Sequence, residues 1–252
     1  MNILHMTDLH FSRDTEENEI REKWNHIKIK LKEELGDKKV DAMAVTGDIT
    51  CHGDLCEFRQ AKSYLLELAG LLYVKREKIF FCPGNHDADT EGKGASFYHY
   101  QSFLNEFYGK SDYDYPVKKK DKKTGEKRKF RFVSINTCTE TSLQFFDEAV
   151  IPDEAFLQLE NIADNSYVIL LLHHQPEVIK NQKSFMKIVN SGKVKLILCG
   201  HLHTTQTRMY QAGETAIVNG MAVTPHLPWI PAGIQLIHIK RNDKIKITEI
   251  KI

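Results

Sequence analysis

The sequence predicts an α/β fold, a β-sandwich of two packed, mostly β sheets flanked by helices on their outer faces. Three observations lead there. Short apolar runs alternate with segments of helical spacing through most of the chain, and from residue 205 onward closely spaced strands take over. The composition, 41% hydrophobic and 27% charged over 252 residues, excludes disorder and fibrous architectures and supplies a core of ordinary size.

Asn2-Ile3-Leu4-His5-Met6 opens the chain as a strand. Ile20, Trp24, Ile27, Leu31 and Leu35 then recur at helical spacing, with Gly36 as the stop. Segment 40–46 reads as a strand, 55–69 as a helix, 78–82 as a strand and 95–108 as a helix. After an interruption, strands at 131–136, 167–172 and 194–199 alternate with helices at 153–163 and 181–191, the first of which starts at Pro152-Asp153. Strands at 205–211, 215–219, 233–240 and 244–252 complete the pattern. No internal repeat or linker divides the chain, so residues 1–252 are expected to form one domain.

A net charge of +1 gives no global pull toward nucleic acid or anionic lipid. The charge is unevenly spread, however. Residues 118–131 hold nine Lys or Arg against two acidic residues, which leaves the rest of the chain at −6. Thr124-Gly125-Glu126 marks the tip of a basic hairpin. Two roles stay open for it, a Lys-rich ribbon that protects a sheet edge and a ribbon that binds nucleic acid. The five cysteines lack a framework spacing, and Cys82 and Cys199 end apolar runs as buried thiols do. No apolar run of about 18 residues occurs and no leader precedes the first strand, so no membrane segment is expected and a cytoplasmic location is.

The chemistry lies where the apolar strands end. The first runs into Asp8-Leu9-His10, the second into Gly47-Asp48 and the third into Gly84-Asn85-His86-Asp87. Later strands run into His173-His174 and Gly200-His201-Leu202-His203. Loops after the carboxyl ends of strands in an α/β sheet converge on one crevice. Each motif alone is commonplace; five in succession are not required by packing.

Asp8, His10, Asp48, Asn85, His173, His201 and His203 are therefore candidate metal ligands. Carboxylate, imidazole and amide oxygen suit Mn, Fe, Zn, Co or Ni, and the absence of thiolates argues against a structural zinc site. Seven ligands are too many for one ion and suit two, with Asp48, the lone acid of its motif, as the bridge. Two ions about 3.5–4 Å apart form a clamp for in-line displacement at phosphorus, with a water between them ionised near neutral pH. Asp8 and His10 are two residues apart, so extended backbone would send both side chains to one side, and His201 and His203 repeat the spacing. Gly47, Gly84 and Gly200 permit tight turns and close approach at the strand ends.

Taken in order, these blocks resemble the calcineurin-like metallophosphoesterases, whose motifs are Asp-x-His, Gly-Asp, Gly-Asn-His-Asp/Glu, His and Gly-His-x-His. They span residues 8–203. The resemblance implies a four-layer fold and a phosphoric ester hydrolase with two divalent or mixed-valence metal ions, Mn or Fe foremost. Asp8, His10, Asp48 and His203 would hold one ion, and Asp48, Asn85, His173 and His201 the other. His86 would be the non-ligand catalytic histidine that protonates the leaving group, with Asp87 orienting it. Many relatives read His-His-Pro-Pro where this chain has His173-His174-Gln175-Pro176, so His174 stays an alternative to His173.

Within the family, the short first loop, Gly47-Asp48-Ile49-Thr50 and the His-His block are most similar to class III cyclic-nucleotide phosphodiesterases. This implies a small phosphodiester substrate. A nuclease using the basic hairpin and a phosphomonoesterase are the alternatives, although no capping domain follows residue 203. A non-catalytic binding module would be expected to lack a ligand or His86, and none is missing. On the substrate side, Phe97 to Tyr100 read as helix core or as base-stacking aromatics. The loop His226 to Pro231 reads as a pocket overhang or a plain Pro-rich turn.

Overall fold

The computed structural model describes residues 1–89, 96–109, 117–120, 127–138, 149–162 and 165–252. The first half comprises β1 (Asn2–Met6), α1 (Glu17–Leu35), β2 (Ala42–Thr46), α2 (Leu55–Leu71), β3 (Ile79–Cys82), α3 (Tyr98–Tyr108), β4 (Val117–Lys120) and β5 (Lys127–Ser134). Then come α4 (Asp153–Glu160), β6 (Tyr167–Leu171), α5 (Gln182–Asn190), β7 (Val194–Cys199), β8 (Arg208–Ala212), β9 (Thr215–Asn219), β10 (Gly233–Ile239) and β11 (Ile245–Lys251).

The strands form a five-stranded sheet ordered β11-β10-β1-β2-β3 and a six-stranded sheet ordered β4-β5-β6-β7-β9-β8. Both are mixed. β1, β2 and β3 run parallel, as do β5, β6, β7 and β9, while β10, β11, β4 and β8 join antiparallel at the flanks.

Alternation along each strand builds the layers. Leu4, Met6, Met43 and Val45 face α1 to α3, whereas Ile3, Ala42, Ala44 and Phe80 face the second sheet. There they meet Phe132, Ile169, Leu171, Leu196 and Leu198, and Phe80 stacks on Phe132 with ring centroids 4.0 Å apart. The other face of the second sheet, with Val168, Leu170 and Ile197, packs on α4 and α5 through Leu159, Phe185 and Val189. The order is helix, sheet, sheet, helix, as expected for the two-sheet sandwich flanked by helices.

β5 starts at Lys127, earlier than the expected 131, because it pairs with β4 from Val117↔Phe130 to Lys120↔Lys127. The tip expected at 124–126 lies outside the described residues. Lys119 pairs with Asp41, which precedes β2, and Arg128 pairs with Asp243 in the β10–β11 turn. The Arg128 guanidinium also covers the rings of Phe130 and Tyr167, 5.1 and 4.6 Å from their centroids. The basic ribbon thus sits at the amino ends of the parallel strands. Among the aromatics after the Asn-His-Asp block, Tyr100 is buried beside Phe103, Phe97 packs on the same core and Tyr98 is exposed. No helix among the described residues is long and apolar enough to cross a membrane.

Candidate metal centre

The loops that leave the strands are themselves hydrogen bonded to one another. Asp8, His10 and Phe11 donate backbone N–H groups to the carbonyls of Gly47, Asp48 and Ile49 at 3.1, 3.0 and 3.0 Å. On the other flank, Val223 and Thr224 donate to the Thr7 and Asp8 carbonyls at 3.0 and 2.9 Å. Gly200 N–H reaches the His173 carbonyl at 3.0 Å, tying the β6 loop to the β7 loop. A network of main-chain bonds therefore fixes every loop that carries a candidate ligand from the first, second, fourth and fifth blocks.

The backbone under the ligands is bent in one particular way. Asp8 (φ 55°), His10 (48°), Asp48 (48°), His201 (74°) and His203 (43°) all occupy the left-handed region. Only Tyr73 and Asp243 share it among the other described non-glycine residues. This corrects the expectation of extended pairs: β1 ends at Met6 and β7 at Cys199, and each pair converges because left-handed residues turn the chain beneath it. Each such residue costs roughly 1–2 kcal/mol, and strain of this kind concentrates at binding sites.

The seven candidate ligands are brought together as two neighbouring groups. In the first, His10 Nε2 lies 3.2 Å from His203 Nε2, and His203 Nε2 lies 3.1 Å from Asp8 Oδ1. In the second, His173 Nε2 lies 3.2 Å from Asp48 Oδ2, 3.1 Å from Asn85 Oδ1 and 3.2 Å from His201 Nδ1. Asp48 belongs to both, since its Oδ2 is also 3.8 Å from His10 Nε2. Ligand atoms held about 2.0–2.2 Å from one ion at tetrahedral or octahedral angles stand roughly 2.8–3.6 Å apart, so the spacings of 3.1–3.2 Å within each group suit a cation.

The electrostatics agree. His173 Nδ1 donates to the Thr46 carbonyl at 2.9 Å, so its Nε2 faces the acceptors Asp48 and Asn85. A proton on Nε2 or a bound cation satisfies that arrangement. Burial opposes the charged ring, yet Asp48 and then Asp8 hold the His173 pKa up at about 9. Burial also opposes the Asp8 carboxylate, but His203 and His173 keep it down at about 2; Asp48 is held well below the usual range, against burial, chiefly by His173.

One contact does not suit a cation as it stands. The His226 N–H donates to His203 Nδ1 at 3.1 Å, which leaves the ring proton on Nε2, toward Asp8. Ligation through Nε2 requires that proton to move and the His226 amide to yield.

His174 packs its ring 4.5 Å from that of His201 but commits one nitrogen elsewhere. Its Nδ1 meets Thr137 Oγ1 at 2.8 Å, and burial together with His173 and His201 pushes its pKa down to about 2. Gln175, which stands where relatives carry Pro, is buried and donates its amide N–H groups to the Gly200 carbonyl and to Asn219 Oδ1. It anchors the turn that presents His201.

His86 sits beside the first group, its ring centroid 5.0 Å from that of His10. Its Nδ1 donates to the Cys51 carbonyl at 3.0 Å and its backbone N–H to Asp48 Oδ1 at 2.9 Å. The Asp87 carboxylate, expected to orient His86, instead accepts from Gly84 N–H, Thr50 N–H and the Thr50 hydroxyl at 2.9, 2.9 and 3.0 Å. It braces the loop whose Cys51 carbonyl holds the His86 ring. Burial, reinforced by Asp48, pushes the Asp87 pKa up to about 6 despite these donors.

The glycines expected to permit close approach do so. A Cβ on Gly84 would overlap the Asp48 carboxylate, one on Gly200 the Thr7 hydroxyl, and one on Gly47 the His173 ring. Sequence reasoning missed Thr7, whose hydroxyl lies 2.6 Å from Asp8 Oδ2, and the carbonyls of Thr46 and Cys51. It also gave His226 no role of its own, although its ring lies 4.3 Å from those of both His10 and His203.

Comparisons with known proteins identify the fold and the family. No curated protein matches the sequence. Among solved structures, GAP50, the anchor in the inner membrane complex of Plasmodium, is similar over 99% of this chain and 84% of that one, with TM-score 0.63 and 13% identity. The phosphopantetheinyl hydrolase PptH from Mycobacterium tuberculosis is similar over 91% of this chain and 93% of that one, with TM-score 0.53 and 11% identity. At these identities the likeness is one of fold. The family description "calcineurin-like phosphoesterase" matches residues 1–205, the stretch that carries all five motif blocks. The chain belongs to the calcineurin-like phosphoesterase family and is a phosphoric ester hydrolase.

Proposed function

We propose that this chain is a phosphodiesterase with a dinuclear metal centre, acting on a small phosphodiester such as a cyclic nucleotide. The observation that carries the reading is the shared position of Asp48 Oδ2, 3.2 Å from His173 Nε2 and 3.8 Å from His10 Nε2. Asp8, His10, Asp48 and His203 would hold one ion, and Asp48, Asn85, His173 and His201 the other; the nitrogen and oxygen donors suit Mn or Fe. Such ions supply charge neutralisation at the phosphate oxygens and ionisation of a water for attack.

The protein's own groups do the rest. With Nδ1 committed to the Cys51 carbonyl, His86 offers Nε2 to the substrate, and a proton on that atom passes to the departing alkoxide. Asp87 keeps that geometry by joining the Gly84 turn to Thr50. Asp48 Oδ1, by accepting the His86 backbone N–H, ties the proton donor to the carboxylate that would serve both ions.

The small-substrate reading draws support from the basic ribbon, which lies at the strand ends opposite those that carry the ligands. A strand of five residues is about 17 Å long, so polyanion held by the ribbon would lie far from the ligands. The five free thiols fit a reducing compartment such as the cytoplasm. The deciding experiment is hydrolysis of bis-p-nitrophenyl phosphate with added Mn²⁺, with and without chelator. It is followed by a panel of cyclic nucleotides, glycerophosphodiesters, phosphomonoesters and single-stranded DNA. Absence of turnover with several metals would refute the metal mechanism. DNA cleavage that collapses when the lysines of 118–131 are neutralised would favour a nuclease instead.

A further inference from the structure

We infer that His226 is a catalytic residue that contacts the phosphoryl group of the substrate beside His86. The inference rests on the hydrolase reading of the metal centre.

His226 is held where such a contact needs it. Two residues before it, Thr224 is pinned to the loop of Asp8: its N–H donates to the Asp8 carbonyl at 2.9 Å and its hydroxyl to the Leu9 carbonyl at 2.5 Å. That hydroxyl also accepts from Lys23 of α1. From this anchor the His226 ring reaches over the first ligand group, 4.3 Å from His10, 4.3 Å from His203 and 5.6 Å from His86, centroid to centroid. His10, His86 and His226 therefore form a compact triangle of rings, and the oxygens of one phosphoryl group seated over it lie within reach of a ring N–H from His86 and from His226.

Nitrogens of His10, His203 and His226 lie within 4.8 Å of one another, which makes a third imidazole ligand the competing role. Two observations favour substrate over metal. His226 stacks on His203 with an interplanar angle of 26°, so the in-plane lone pairs of the two rings run side by side and do not converge on one ion. By contrast, Nε2 of His10 and Nε2 of His203 meet at 3.2 Å. His226 is also exposed, whereas His10 and His203 are 7% and 8% exposed, so it stands on the face from which a substrate arrives.

The test compares metal-loaded wild-type protein with His226→Ala and His226→Gln. Bound metal per chain, calorimetric affinity for inorganic phosphate and kcat/KM on bis-p-nitrophenyl phosphate are measured for each. The expected result is unchanged metal content with phosphate affinity and kcat/KM both lowered about 10- to 100-fold in His226→Ala, the value of one charge-assisted hydrogen bond, and partly restored by the amide N–H of His226→Gln. Loss of metal from His226→Ala would overturn the inference by making His226 a ligand. Unchanged phosphate affinity would overturn it by leaving His226 without a contact. A wild-type protein that binds phosphate but hydrolyses no ester would sink the hydrolase reading, and the calorimetric comparison would still decide the role of His226.

Discussion

His173 Nε2 stands 3.2 Å from Asp48 Oδ2, while the adjacent His174 points its Nδ1 at Thr137. The His174 ring lies 4.5 Å from that of His201, but its Nδ1 is committed to Thr137, so it is His173 that meets the Asp48 carboxylate. His173→Ala is expected to lower metal-dependent turnover by at least about a hundredfold and to release bound metal, since even outer partners of a metal site cost 10- to 100-fold. His174→Ala is expected to keep its metal and most of its turnover. Metal content and hydrolysis of the two variants decide the matter, and the opposite ranking would make His174 the ligand.

Gln175 links the His173 loop to the His201 turn through its amide N–H groups. Gln175→Leu keeps the volume but removes both bonds and leaves the Gly200 carbonyl and Asn219 short of a donor. Metal affinity is expected to drop about 10-fold with the thermal midpoint lowered by a few degrees. An isothermal titration with Mn²⁺ that gives the wild-type affinity would show that the turn holds without Gln175.

Gly84→Ala places a methyl on the Asp48 carboxylate, the group shared by both clusters. Because its φ of −111° is ordinary, the expected damage comes from contact alone and not from backbone strain. Metal stoichiometry is expected to fall along with stability, and a variant that retains both ions would mean Asp48 can move aside.

The buried histidines set a pH profile for the metal-free protein. Burial pushes His5 and His10 down to about 3, and His174 to about 2, so below the ordinary value of 6.5 the unfolded chain binds protons that the native one refuses. Stability is therefore lost as pH falls from about 6.5 toward 3. His173, held up at about 9, acts in the opposite sense: its contribution is present below 6.5 and is lost as pH rises through 9. Denaturant midpoints across this range are expected to peak near neutrality. His5→Gln, which can still bond the Thr46 hydroxyl, is expected to flatten the acid limb by about one proton. An unchanged slope would show that His5 titrates normally.

Much of this site was legible because each ligand block directly follows an apolar strand, as Asp8 follows β1 and His201 follows β7. A strand read from hydrophobicity already says where its last residue points the chain. The geometry under the ligands was not legible, because the left-handed φ values of Asp8 and His10 come from the loops packing on one another and not from local preference. The His86 partner was misread for a related reason. A backbone carbonyl such as that of Cys51 leaves no mark in a sequence, whereas the neighbouring Asp87 carboxylate invites the assignment. His226 reaches the centre through its own N–H bond to His203 and through the pairing of Thr224 with the Asp8 loop, a contact across 216 positions of chain. The direction of the basic ribbon likewise depends on which end of β6 it meets, and that is set by sheet order.

Five aspartate and histidine residues in left-handed backbone place folding and function in direct opposition at those positions. Glycine at any of them would relax the chain while removing a candidate ligand, and at Asp8 and Asp48 it would also orphan the His201 and His86 backbone N–H groups. At all five positions the backbone is held in a costly conformation by the loops around it, and the side chain presented is a candidate ligand.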